Sequence, residues 1–195
     1  MKVSPLPVAA LLGGALLAAG SGLTAGPAVH PEAPPPAHTG GFGEPSCEIC
    51  HAEYIVNAPG GELLIQGLPD EWSEGAAYLL TVTLRSEEME AAGFQLSARH
   101  ADGRGAGVFE PVDDRVSITD HDGPVGRVSY AAQTREGAAV PDPSVVSWHL
   151  RWIAPSGGGE VRLHAAANSG NGDNSPFGDL VYTTATVVPA ATASR

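Results

Sequence analysis

The sequence predicts an antiparallel all-β fold built as a two-layer sandwich, and three observations carry that expectation. From Glu62 onward, short runs alternate apolar and polar residues, the two-residue period of a strand with one buried face. The runs are separated by clusters of Gly, Pro, Asp and Asn, which end strands and form turns. No long segment carries the helical period, and roughly seven or eight alternating segments in one domain suit two packed sheets.

Each segment is legible in turn. Ala77–Arg85 sets Tyr78, Leu80, Val82 and Leu84 against Leu79, Thr81, Thr83 and Arg85. Gly93–Arg99 sets Phe94, Leu96 and Ala98 against Gln95, Ser97 and Arg99. Val145–Ile153 places Val146, Trp148, Leu150 and Trp152 on one face, with Ser147, His149 and Arg151 on the other. Glu160–Ala167 aligns Val161, Leu163 and Ala165 opposite Arg162 and His164, and Asp179–Val188 is the closing strand. Leu63–Gln66, Arg115–Thr119 and Arg127–Ala131 are shorter candidates. Ser86–Ala92 is the one stretch that reads as a helical turn, with Ser86 as a capping residue.

The organisation before the strands is different. Lys2 precedes the apolar run Val8–Ala19, which is too short for a hydrocarbon core of about 30 Å, and small residues follow. Residues 1–28 are therefore expected to be a signal peptide, cleaved near Ala25–Ala28. The mature protein is expected to be periplasmic or secreted, without a transmembrane anchor. Residues 29–61 form a Pro/Gly-rich linker and a CxxCH segment, residues 62–188 the sandwich, and residues 189–195 a flexible tail. The chain has 22 Asp plus Glu against 10 Lys plus Arg, a net charge of −12. That charge repels phosphate backbones and excludes nucleic acid as a partner class.

The chemistry sits in Cys47-Glu48-Ile49-Cys50-His51, which contains the only two cysteines of the chain. Two thiols two residues apart can add across the two vinyl groups on one porphyrin edge, and the adjacent imidazole can ligate the iron. The motif thus predicts one covalent haem c, with Cys47 and Cys50 as thioether anchors and His51 as the proximal ligand. Two other readings exist: a Cys47–Cys50 disulfide or redox pair, and a zinc half-site lacking its fourth ligand. Met and His are the usual axial partners, so the candidates for the sixth position are His38, on the arm before the motif, and Met89. An open sixth site is the alternative. His100 and His121 are placed in loops, and His149 and His164 on polar strand faces, where they could be neighbours. Asp173, Asn174 and Asp179 offer hard oxygens for Ca²⁺, but the loop Asn168–Asp179 reads better as turn chemistry.

With these elements in place, the chain resembles bacterial reelin-type (reeler) domain proteins, including the choice-of-anchor V group with its Gly-rich CxxCH segment. The resemblance rests on Thr39-Gly40-Gly41-Phe42-Gly43-Glu44, on Gly93–Ala98, and on Trp148–Pro155. It extends to Ala166-Ala167-Asn168, Asn171-Gly172-Asp173 and Gly178-Asp179. It implies an immunoglobulin-like β-sandwich outside the cytoplasm and supplies no defined activity. Relatives tend to carry Tyr-x-x-His-Thr where this chain reads Tyr130-Ala131-Ala132-Gln133-Thr134, and a C-terminal sorting anchor is not seen. The combined expectation is an exported monohaem carrier serving an extracytoplasmic redox partner rather than an enzyme. The alternative is a cell-surface binding or adhesion module in which the haem is structural.

Overall fold

The computed structural model describes Met1 and residues 32–192; the remainder of the expected signal peptide lies outside the described residues. Nine strands form among the described residues: β1 Glu62–Gln66, β2 Ala77–Arg85, β3 Ala91–His100, β4 Val108–Pro111, β5 Val116–Gly123, β6 Gly126–Gln133, β7 Val145–Ile153, β8 Val161–Gly170 and β9 Leu180–Val188. They pair antiparallel in two sheets, ordered β1-β2-β7-β4 and β5-β6-β3-β8-β9. The two-layer sandwich expected from the alternation is the observed architecture. β4 escaped the sequence reading because it spans four residues and buries only Phe109. No helix among the described residues is long and apolar enough to cross a membrane.

The inward residues are those the period dictates. Leu80, Val82, Leu84, Phe94, Leu96, Trp148, Leu150, Trp152, Val161 and Leu163 share one core. Phe94 stacks on Trp148 with ring centroids 4.5 Å apart. The indole N–H groups of Trp148 and Trp152 donate to the carbonyls of Gly137 (2.8 Å) and Ala106 (2.9 Å), so neither buried ring carries an orphaned donor.

Several expectations are corrected. Ser86–Ala92 forms no helical turn. Met89 N–H donates to Pro143 and Glu90 N–H to Gly170, and Glu88 takes a φ of 58°, so the chain bends as it crosses from one sheet to the other. His121 belongs to β5 and His100 ends β3, rather than lying in loops. His149 and His164 are not neighbours, because β7 and β8 belong to different sheets. The flexible tail does not begin at residue 189: Trp72 N–H donates to the Pro189 carbonyl and Ala191 N–H to the Trp72 carbonyl, pinning the chain beyond β9.

The largest difference lies on the outer face of the five-stranded sheet. Gln95, Ser97 and Arg99 alternate with the core residues of β3 and were expected to face water, yet all are buried. The arm from Pro34 to His51 covers them as a third layer. Arg99 donates to the Glu44 carboxylate of the arm, and the Tyr130 hydroxyl of β6 donates to the same group. Thr39 Oγ1 donates to the other Glu44 oxygen at 2.8 Å. The Arg99 guanidinium also lies 5.1 Å from the Phe42 ring centroid, while Phe42 meets the His164 ring edge-on. Gly41 is required by close approach, since a Cβ there would overlap the His164 ring. The part of the linker described here is therefore a packed element, held by a buried ion pair.

Two outcomes follow. Glu44→Ala leaves the Arg99 charge buried without its partner and should lower unfolding stability by about 3–5 kcal/mol in urea titrations, with faster proteolysis of the arm. His164 is held below its ordinary value by burial and by the positive Arg99 and Arg162. The unfolded chain thus takes up this proton before the folded one, and stability is lost as pH falls from about 6.5 through the depressed folded value. The urea midpoint should be lower at pH 5.5 than at pH 7.5, with a smaller difference in His164→Gln.

Candidate functional site

The CxxCH motif begins a single 3₁₀ turn over Cys47–Ile49. Ser46, buried beneath the arm, caps it by accepting from Glu48 N–H. Cys50 and His51 N–H both donate to the Cys47 carbonyl, at 3.2 and 3.0 Å. Both cysteines are free thiols, Cys47 half-buried and Cys50 exposed. Burial pushes the Cys47 thiol up to about 12, with the neighbouring Cys50 and Glu48 adding to the rise. Among the described residues, no group of three or more His, Cys, Asp or Glu side chains is arranged to hold a metal ion.

Cys47, Cys50 and His51 line an open cleft of about 250 Å³, and His38 lines the same cleft. Pro34, Pro35, Ile49, Ala91, Phe94 and Pro176 make much of its wall apolar. His38 is placed by the arm's attachment to β3. Its backbone N–H donates to Gln95 Oε1 at 2.7 Å, and Gln95 Nε2 donates to the Pro35 carbonyl at 2.9 Å. Its Nδ1 lies 3.0 Å from the carbonyls of Pro35 and Pro36, both acceptors, so Nδ1 carries the proton and Nε2 the free lone pair. Met89 sits elsewhere. It is 2% exposed within the hydrophobic core rather than on the surface, and it is not among the residues lining the cleft.

Asp179 is the residue whose role the sequence did not reveal. It is buried at the end of the Asx-rich loop, and its Oδ2 lies 2.6 Å from His51 Nδ1. The rest of that loop behaves as turn chemistry: Asn171 Oδ1 accepts from Asp173 N–H, and Asp173 Oδ1 from Ser175 N–H. The available signal was Gly178-Asp179 standing directly before a strand, where a buried acid requires a partner. Gln133 also lines the cleft, and its Oε1 accepts from Phe94 N–H at 2.8 Å.

The difference in thiol environment is measurable. In haem-free reduced protein, exposed Cys50 should react with iodoacetamide at pH 8 at least tenfold faster than Cys47, whose thiolate is scarce. Peptide mass mapping of partially alkylated samples reads the ratio.

No family model matches the chain, and no curated protein sequence matches it. Solved structures do. A reeler domain of human F-spondin is 21% identical, with a TM-score of 0.44 over 70% of this chain and 93% of that one. The Reelin-N domain of F-spondin is 20% identical, with a TM-score of 0.48 over 74% of this chain and 97% of that one. A cohesin module of a Clostridium perfringens family 33 glycoside hydrolase is 13% identical, with a TM-score of 0.46 over 68% of this chain and 98% of that one.

Proposed function

We propose that the cleft is the seat of one covalent haem c and that the protein is an extracytoplasmic one-electron carrier. The observation that carries this reading is the convergence of Cys47, Cys50, His51 and His38 on one largely apolar cleft. The residues suit the group. Each free thiol can add across a vinyl group: the S–H bond breaks, an S–C bond forms, and the proton ends on the outer vinyl carbon. No oxidant or leaving group is needed. His51 and His38 each hold Nδ1 in a hydrogen bond, leaving Nε2 as the ligating nitrogen. The largely apolar wall would suit the porphyrin faces, and Cys50 and Ile49 are exposed at the cleft. When bound, the haem supplies a reversible one-electron couple. The chain's own residues anchor it, orient the imidazoles and restrict water. The strongly acidic surface favours a basic docking region on a redox partner, with an association rate that falls as salt rises.

A second reading is a binding or adhesion module in which the haem is structural. Exposed Ile49, Tyr54, Ile55 and Phe177, in the motif segment and the Asx-rich loop, favour it as a contact surface.

Expression with the cytochrome c maturation machinery should yield protein heavier by one haem, with a pyridine haemochrome of the two-thioether type. Cys47→Ala and Cys50→Ala should each shift that spectrum to the single-thioether form. Reversible reduction at a defined midpoint supports the carrier. Unmodified polypeptide mass under the same conditions contradicts the haem reading and leaves the binding module.

A further inference from the structure

The Asp179 carboxylate is buried, and every contact it makes is with a donor. Oδ2 accepts from His51 at 2.6 Å and from Asn168 Nδ2 at 3.3 Å, while Oδ1 accepts from Asn171 N–H at 3.1 Å. The side chain is 4% exposed. Being tied from three directions, it cannot rotate away from the imidazole. The segment after the motif is fastened to the same loop, because Gly178 N–H donates to the Glu53 carboxylate. The His51–Asp179 contact spans 128 residues of sequence and joins the arm to the β8–β9 connection. A loop needing only a polar anchor would be served by a neutral amide. A carboxylate aimed at the second nitrogen of a ligating imidazole does more: it fixes the tautomer and raises the basicity of the other nitrogen.

We propose that Asp179 is the positioning residue for His51, holding its proton on Nδ1 so that Nε2 is the ligating atom and making that imidazole an unusually electron-rich donor that favours ferric over ferrous iron. The electronic part rests on the haem reading above, whereas the tautomer part does not. A charge-assisted hydrogen bond gives the ring partial imidazolate character. Hydrogen bonding to the axial ligand and burial of the site are two of the levers by which a protein sets a haem potential. Asp179 supplies the first of these through its contact with His51 Nδ1.

The test has two independent arms. In haem-free wild-type protein at pH 8, nitrogen-15 NMR should show His51 as the Nδ1–H tautomer, and Asp179→Asn should shift it towards Nε2–H. In haem-loaded protein, Asp179→Asn should move the reduction equilibrium at least tenfold towards the ferrous form, which is about 59 mV for one electron. Asn168→Ala removes a competing donor from the same oxygen and keeps the charge, so its potential should not rise. An Nε2–H tautomer in the wild type overturns the proposal whether or not Asp179→Asn can be purified. Loaded Asp179→Asn with an unchanged potential overturns its electronic part. Absence of haem with the expected tautomer overturns the carrier reading and leaves the positioning role standing.

Discussion

The buried contact between Glu44 and Arg99 is the constraint on which the rest of the site depends. A buried guanidinium cannot be left dry and unpaired, and a carboxylate on a segment of prolines and glycines has no reason of its own to leave water. Together with the Tyr130 hydroxyl they satisfy one another, and the cost of desolvating both is offset by the arm they fix. Once Glu44 is docked, Gly41 and Phe42 lie against His164 and Ser46 is buried where it caps the motif turn. The CxxCH segment is thus presented by a rigid layer rather than by a free linker.

The cleft inherits its order from that layer. One wall comes from the arm, through Pro34, Pro35 and His38, and the other from the motif turn and the loop after β8. The two imidazoles are treated alike by chemically different means. Backbone carbonyls of Pro35 and Pro36 occupy Nδ1 of His38, and a buried carboxylate occupies Nδ1 of His51. A neutral carbonyl and a charged carboxylate differ in how strongly they polarise a ring, so the two sides of the cleft are electronically unequal. That inequality is built by the fold before any cofactor enters.

Much of the fold was legible, and the misses share one cause. β2 and β7 match the strands read from the alternation residue for residue, because one face of each is apolar and the other polar. The same alternation misled at β3. Gln95, Ser97 and Arg99 are polar, and a period-2 reading assigns polar residues to water, while the structure buries them under a third layer. A trace of that layer was present. Ala132 and Ala166 are small apolar residues on the supposedly wet faces of β6 and β8, and both are buried. The motif cysteines and His51 were recognisable as a local pattern. Asp179 was not, because its partner lies 128 residues away and the residues before it read as a turn. Met89, offered by the sequence as a possible sixth ligand, is buried in the core, and its N–H donates to the Pro143 carbonyl.

In the proposed carrier, the docked arm would bring His38, Cys47, Cys50 and His51 onto a single haem. Low-temperature electron paramagnetic resonance of the oxidised, matured protein tests it most directly. A haem held by both histidines gives a low-spin ferric signal of the bis-imidazole type, which should give way to a high-spin signal in His38→Ala. A high-spin signal in the wild type, or a low-spin signal unchanged by that substitution, would contradict it.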